Sequence, residues 1–511
     1  MTRIVFMAAL LLAAGPARAE KSITSDTTWK AADSPVAVAE DTTVAAGVTL
    51  TIEPGVTVEL AKGKSLTIKG TLVARGTAAK AITFTGKLDS GARVRWGSLV
   101  FADSSADAVF KELDEFVSGS ILERCTFERA TKAVKIAGSS PYVTACTFKD
   151  NECTAGKKGG AAMEITGGAA PRVVGNTFDG NVAKGQAEGG AVYVDSSAPI
   201  IQDNTFKKSA SVYGGALTTY HMYSPIVGNT FTDNKATFKG GAMALVSSCQ
   251  AVLNNTIKKN SSSMNGGGVH VCIDCNSHAV PFFMDNTISG NSNTLHTGAA
   301  GFGAAFIRVF KYNNIHDNQR VGQGANDFGW LHPLEEPAPS WSRNVSIAHN
   351  WWGTTDEKKI AEMITDGNDN KSYGKVTFTP VLKAAVKQPE TRVTITTRRV
   401  EFKTKDDVMP VYLTVYNPGA ARQVDLVLLL GYGDAPPVPY RGKLDFPGAT
   451  QKGRAHRLSL PKNGAYFTRL MQQKYPGAGK LTHGFWRAAI YDSATGKRIG
   501  DVSTIRFDLS K

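Results

Sequence analysis

From residue 43 onward, apolar side chains alternate with polar or small ones in runs of only four or five residues. Ala191-Val192-Tyr193-Val194 and Pro199-Ile200-Ile201 are representative: rich in β-branched residues and bounded by turn formers. A two-residue period over so short a run predicts strands with one buried face, because a helical stripe needs at least ten residues. The runs recur in step. Gly-Gly-small segments stand at Gly159-Gly160-Ala161, Gly189-Gly190-Ala191, Gly214-Gly215-Ala216, Gly240-Gly241-Ala242 and Gly266-Gly267-Gly268. Asn-Thr-aromatic or Asn-Thr-Ile segments begin at Asn176, Asn204, Asn229, Asn255 and Asn286, at steps of 28, 25, 26 and 31 residues. Cys125-Thr126-Phe127 and Cys146-Thr147-Phe148 precede them in the same pattern, and Asn313-Asn314-Ile315 follows.

Strands this short bury their inward side chains only if the next coil lies on them, so the repeat predicts a solenoid. The fold class expected is all-β: a right-handed parallel β-helix followed by an immunoglobulin-like β-sandwich. Roughly 340 residues at about 26 per coil give ~13 coils, rising about 4.8 Å each, or ~60 Å in all. Asparagine tolerates left-handed backbone, and stacked amides hydrogen-bond along a column. A β-propeller would need longer, antiparallel units.

The stretch 43–86, TVAAGVTLTIEPGVTVELAKGKSLTIKGTLVARGTAAKAITFTG, resembles the opening of many bacterial right-handed β-helix proteins. The middle resembles the parallel β-helix repeat family, and its GGA…NTF…N rhythm is similar to repeats of polymorphic outer membrane proteins. The segment His349 to Leu382, beginning HNWWGTTDEKK, resembles the close of such stacks. The resemblance implies the fold over residues 43 to about 382. It does not imply one function, since the fold hosts lyases, hydrolases, epimerases, adhesins and structural proteins.

The N-terminus carries Arg3, an apolar run from Ile4 to Ala14, and then Ala17-Arg18-Ala19. This is the pattern of a secretory signal cleaved after Ala19. The run is shorter than the ~20 residues a membrane span needs, and no later segment is long and apolar enough. No cysteine follows the cleavage site to carry a lipid. The chain is therefore expected to be exported, to the periplasm, the outer surface or beyond. Residues 20–42 are expected to cap the first coil, 43–387 to form the β-helix with its closing cap, and 388–511 to form the sandwich.

Charge is unevenly spread. Of the net +14, residues 388–511 hold 20 Lys and Arg against 10 Asp and Glu. A basic exported domain favours anionic neighbours, such as acidic polysaccharide or another anionic envelope polymer. The excess carries no nucleic-acid recognition motif.

Six cysteines invite chemistry. Cys125 and Cys146 hold equivalent places in adjacent coils, within disulfide reach. Cys249 and Cys275 each follow their glycine pair by eight residues, and Cys272-Ile273-Asp274-Cys275 is a C-x-x-C. In an oxidising compartment, structural disulfides are the reading for Cys125, Cys146, Cys249, Cys272 and Cys275. A metal site here would draw on His270 and His278. Neither a metal nor a cofactor is expected. Asp195, His221 and Ser247 fall at similar turn positions, but no nucleophile elbow or oxyanion hole accompanies them. Asp366-Gly367-Asn368-Asp369-Asn370 resembles a calcium loop without its sixth-position glycine and twelfth-position glutamate, and reads better as a turn. The signatures of pectin-type hydrolases and lyases are absent, and Asp179, Asp203 and Asp233 read as scattered turn residues.

Aromatic residues point instead to binding. Tyr213, Tyr220, His221 and Tyr223 cluster on coils where other rungs carry Ser and Asp. The stretch 328–341, FGWLHPLEEPAPSW, interrupts the repeat with Trp330, His332 and Trp341. Rings at a turn stack on sugar faces, and long insertions in repeat stacks carry function. The expected function is non-catalytic binding of glycan or another surface polymer, in the manner of an adhesin. The rivals are a polysaccharide lyase or glycoside hydrolase, and a purely structural stalk.

Overall fold

The computed structural model describes residues 20–509, apart from 112–114, 155–158, 273–280, 296–299, 304–308, 323, 326, 331–343, 372, 398–400, 403–407, 433–436, 441–449, 453–454 and 475–482. Three parallel ladders run along a β-solenoid, and a fourth joins them part-way. The first has 13 strands, from Glu20–Ile23 to Ile364–Thr365; the second and third have 11 each, ending at Val309–Lys311 and Asn314–His316. A fourth, of eight strands, opens at Glu152–Cys153 and closes with an antiparallel pair. Each rung visits the ladders in turn, as in Val192–Asp195, Ile200–Gln202, Thr205–Lys207 and Ala210–Tyr213. Residues 20–42 supply the first rung, since Glu20–Ile23 pairs with Asp41–Val44 and Thr27–Trp29 with Thr49–Ile52.

The register lays like over like. Phe84, Phe127, Phe148, Phe178, Phe206 and Phe231 form one file of inward rings, with centroids 4.6–4.9 Å apart. Beside it, Asn176, Asn204, Asn229, Asn255, Asn286, Asn313 and Asn350 form a buried amide ladder. Each Oδ1 from Asn204 onward accepts both the backbone N–H and the side-chain amide of the asparagine before it. Burial without water makes these bonds expensive to break. The left-handed residue is the one before each ladder position: Gly175, Asp203, Gly228, Asn254, Asp285 and Tyr312 all have positive φ. The ladder asparagines are thus selected for their amides, not for backbone tolerance.

Cys125 and Cys146 stand at the head of this ladder. Cys125 N–H donates to Cys146 Sγ at 3.4 Å, and Cys146 N–H to Asn176 Oδ1 at 2.9 Å. The expected bridge between them is not formed. Both are thiols, turned to the carbonyls of Ala74 and Glu123 and of Leu122 and Thr144, much as the asparagine amides turn to theirs. No disulfide occurs among the described residues, Cys249 and Cys272 included. Register sets Cys272 beside Val246 and Gly303, so it does not stack on Cys249; Cys275 lies outside the described residues.

The far end is closed by Trp352, buried, and by a helix, Glu357–Glu362, whose N-cap Asp356 accepts from the N–H groups of Lys358 and Lys359. Asp366 accepts from Asn368 and Val376 backbone N–H groups, the turn expected there.

Beyond residue 388 the texture changes to longer, mostly antiparallel strands. Arg392–Thr397, Val408–Asn417 and Gly464–Lys474 form a three-stranded sheet; a second sheet is built around Arg422–Tyr432, His483–Asp492 and Arg498–Leu509. Their facing sides share a core with Trp486, Leu413, Leu426 and Tyr466. The outer face of the three-stranded sheet docks on the flank of the solenoid. Tyr416 and Ala465 pack on Val227, Ala251, Leu253 and Met284 of the second ladder. Asn254 Nδ2 donates to Tyr416 Oη at 2.9 Å, and Lys311 pairs with Asp501.

Candidate functional site

The solenoid and the sandwich enclose a cleft of about 630 Å³, within the usual range for ligand sites. Gly168, Ser196, Ser197, Ala198, His221 and Tyr223 line it from three successive turns, and Tyr412, Phe467 and Arg469 from the sandwich. Strand alternation explains the second set. In Val408–Asn417 and Gly464–Lys474, Leu413, Val415 and Tyr466 face the sandwich core, so Tyr412, Phe467 and Arg469 share the opposite face with Tyr416 and Ala465. Where that face runs beyond the docked contact, its side chains become a wall.

Tyr223 lies on Tyr412 with ring centroids 5.2 Å apart and planes 5° from parallel. Tyr412 in turn lies on Phe467 at 5.5 Å and 15°. A three-ring stack therefore crosses the junction. On the solenoid side the aromatic surface continues: Tyr220 is 6.4 Å from His221, and Tyr193 is 5.9 Å from Tyr220. Tyr220 Oη donates to Glu188 Oε2 at 2.8 Å. Burial, together with the Glu188 carboxylate, holds the Tyr220 phenol well above its ordinary range; burial and the neighbouring carboxylates of Asp195, Glu188 and Glu164 do the same to Tyr193. Both remain protonated at any physiological pH. Tyr213 meets Phe238 edge-on at 5.2 Å.

His221 Nδ1 lies 3.6 Å from Asp195 Oδ1. The turn positions expected to align as Asp195, His221 and Ser247 are shifted by one. Ser196, His221 and Ser247 share the left-handed turn, while Asp195 pairs in register with Tyr220. Ser196 Oγ donates to Asp195 Oδ1 and Ser197 Oγ to Asp195 O, so neither serine is held as a nucleophile. None of the described residues lining the cleft is a carboxylate. Arg469 is exposed and has no ion-pair or hydrogen-bond partner among the described residues.

Of the residues singled out in the sequence, Tyr220, His221 and Tyr223 thus belong to one surface, with Tyr213 on the neighbouring ladder. Trp330 ends the strand Phe328–Trp330; His332 and Trp341 lie outside the described residues. Sequence reasoning missed Tyr193, Glu188, Tyr412, Phe467 and Arg469. Tyr193 breaks the β-branched pattern of its run and was open to notice; the others depend on docking.

Further along the first ladder, His270 is buried on the outward side of Val269–Cys272, next to Gly301 of the following rung. Its Nδ1 has no hydrogen-bond partner among the described residues, and burial pushes the imidazole down to about 3. Cys272 occupies the same side of the strand, two residues on.

Residues 112–306 match the family described as NosD, periplasmic copper-binding protein. The match spans less than half of the chain, and the parallel ladders in register decide the fold. The chain is a parallel β-helix repeat protein. Among solved structures, the enzymatically active domain of bacteriophage CBA120 tailspike protein 4 aligns at 9% identity with a TM-score of 0.18. The alignment covers 92% of this chain and 64% of that one, so the chain spans less than two thirds of its length. No curated protein matches. Among the described residues no helix is long and apolar enough to cross a membrane.

Proposed function

We propose that this is an exported, non-catalytic protein that binds a glycan chain in the cleft between solenoid and sandwich. The observation that carries the reading is the stack Tyr223–Tyr412–Phe467, continued by His221 and Tyr220, with Tyr193 buried behind them. The outer faces and edges of the stacked rings offer apolar surface to a sugar, and the phenol oxygen of Tyr220, its hydrogen given to Glu188, is left to accept from a sugar hydroxyl. Hydrolysis needs two carboxylates flanking the scissile bond; the described lining holds none, and Asp195 and Glu188 beside it already accept from Ser196 and Tyr220. Binding without cleavage is the better account, and a stalk has no need of such a cleft.

The test is titration of the mature protein with a glycan panel, followed by analysis for new reducing ends and unsaturated sugars. Saturable binding with no product is expected, weakened about tenfold in Tyr412→Ala. Released oligosaccharide would establish catalysis instead. For export, sequencing the secreted form should find Glu20 first.

A second reading concerns copper, which the matched family is described as binding. The buried, unpartnered Nδ1 of His270 favours it, with Cys272 on the same face of the strand. Imidazole and thiolate together suit monovalent copper. No set of three or more His, Cys, Asp or Glu gathers among the described residues; Cys275 and His278 lie outside them. His270 and Cys272 would hold that ion as cargo. One equivalent of Cu(I) taken up by the wild type and not by His270→Ala is the expected result; equal uptake by both would remove this reading.

A further inference from the structure

The cleft's charge, taken with the partners of each polar group in it, narrows the class of glycan; this step rests on reading the cleft as a glycan site. Three arginines of the sandwich are each answered by a carboxylate: Arg392 by Asp285, Arg422 by Asp492, and Arg457 by Asp425. Arg469 is not, among the described residues, although it stands on the cleft wall beside Phe467. His221 already faces Asp195 at 3.6 Å, so its charge, when present, is met within the protein. Ser196 and Ser197 spend their hydroxyl hydrogens on Asp195, which leaves their oxygens as acceptors at the cleft.

The arrangement therefore presents one unanswered guanidinium, two hydroxyl acceptors and a stacked-ring platform. We infer that the cleft selects a glycan bearing a monovalent anionic group, a uronate carboxylate or a sulfate ester, gripped by Arg469. The ring stack takes the apolar sugar face, and the serine oxygens accept from sugar hydroxyls. A guanidinium offers paired N–H donors in the plane that a carboxylate or sulfate edge matches, with more directional strength than an ammonium point charge. The net basic charge of residues 388–511 draws such a polymer in from a distance.

The experiment is calorimetric titration of the full mature chain with three oligosaccharides of equal length. These are an oligo-uronate, its carboxyl-reduced neutral counterpart and a sulfated neutral oligomer, each against wild type, Arg469→Gln and Tyr412→Ala. Circular dichroism and melting confirm that both variants fold, which the exposure of Arg469 favours. The expected result is that wild type binds the uronate or the sulfated oligomer about tenfold or more tighter than the neutral one. Whichever of the two leads names the anion. Arg469→Gln should erase that preference. Equal affinity of wild type for charged and neutral oligomers overturns the inference, as does an Arg469→Gln variant that keeps the preference. If Tyr412→Ala weakens binding of all three while Arg469→Gln changes nothing, the cleft remains a glycan site and only the anion selectivity falls. If no oligomer binds, both readings fall.

Discussion

Arg392 of the sandwich closes a two-pronged pair on Asp285 of the solenoid, Nε to Oδ2 at 2.7 Å and Nη2 to Oδ1 at 2.9 Å. The two side chains are 7% and 0% exposed, and the guanidinium also lies 4.7 Å from the centre of the Tyr312 ring. Removing one partner leaves the other charged and out of water, which costs about 3–5 kcal/mol where such pairs have been broken. Asp285→Ala is therefore expected to loosen the sandwich and cut glycan affinity without entering the cleft. Limited proteolysis between residues 383 and 391 should accelerate in the variant. Undiminished protection would mean that the apolar contact around Tyr416 suffices alone.

The amide ladder predicts a strong local cost. Asn229 Nδ2 donates to the carbonyls of Ile201 and Val227 and to Asn255 Oδ1, and its own Oδ1 serves Asn204. Asn229→Leu fills the space but orphans these groups, at about 1–3 kcal/mol each before relaxation. A fall in the urea midpoint of the solenoid larger than that of Lys62→Ala, an exchange at an exposed turn, checks it.

A second file of asparagines runs Asn234, Asn260, Asn291 and Asn318 and ends on Asp327, whose Oδ1 accepts from Asn318 N–H and Nδ2. Burial raises this carboxyl from 3.8 to about 6. Folding thus favours its protonated form: the contribution to stability is complete below pH 3.8 and lost as pH rises through about 6. Asp327→Asn keeps the acceptor and cannot ionise. Its advantage over wild type should approach about 3 kcal/mol at pH 8 and vanish near pH 4. Denaturant midpoints at the two pH values decide; a gap independent of pH contradicts the assignment.

The thiols of Cys125, Cys146 and Cys153 are buried, and burial pushes Cys125 well up and Cys153 to about 11. Thiolate is the reactive form. Iodoacetamide at pH 8 should leave all three unmodified in the native protein and label all three in denaturant. A Cys125–Cys146 pair that stays unlabelled after unfolding would show that the protein had been oxidised in its compartment.

Much of the solenoid was legible because its two determinants, the alternating strand and the stepped asparagine, are local in sequence. The coil number was overestimated, about 13 against 11 strands in the second ladder. A mean step cannot see the hairpins Leu88–Asp89 with Ala92–Arg93 and Val109–Phe110 with Phe116–Ser118, which lengthen early rungs without adding any. Tyr220, His221 and Tyr223 stood out because they depart from the Ser and Asp of neighbouring rungs. Tyr412, Phe467 and Arg469 did not: each is an ordinary outward residue of an alternating strand. Their meaning comes from a contact between positions more than 180 residues apart, which no local pattern encodes.

Because phenylalanine lies on phenylalanine from Phe84 to Phe231 and asparagine on asparagine from Asn176 to Asn350, the solenoid behaves like a ruler with nearly equal graduations. A whole rung removed ahead of Gly159 would rejoin matching surfaces and bring the N-terminal end about 4.8 Å nearer the cleft, leaving the cleft itself untouched. Reach is set by the number of turns and grip by the junction, so the two are separately adjustable.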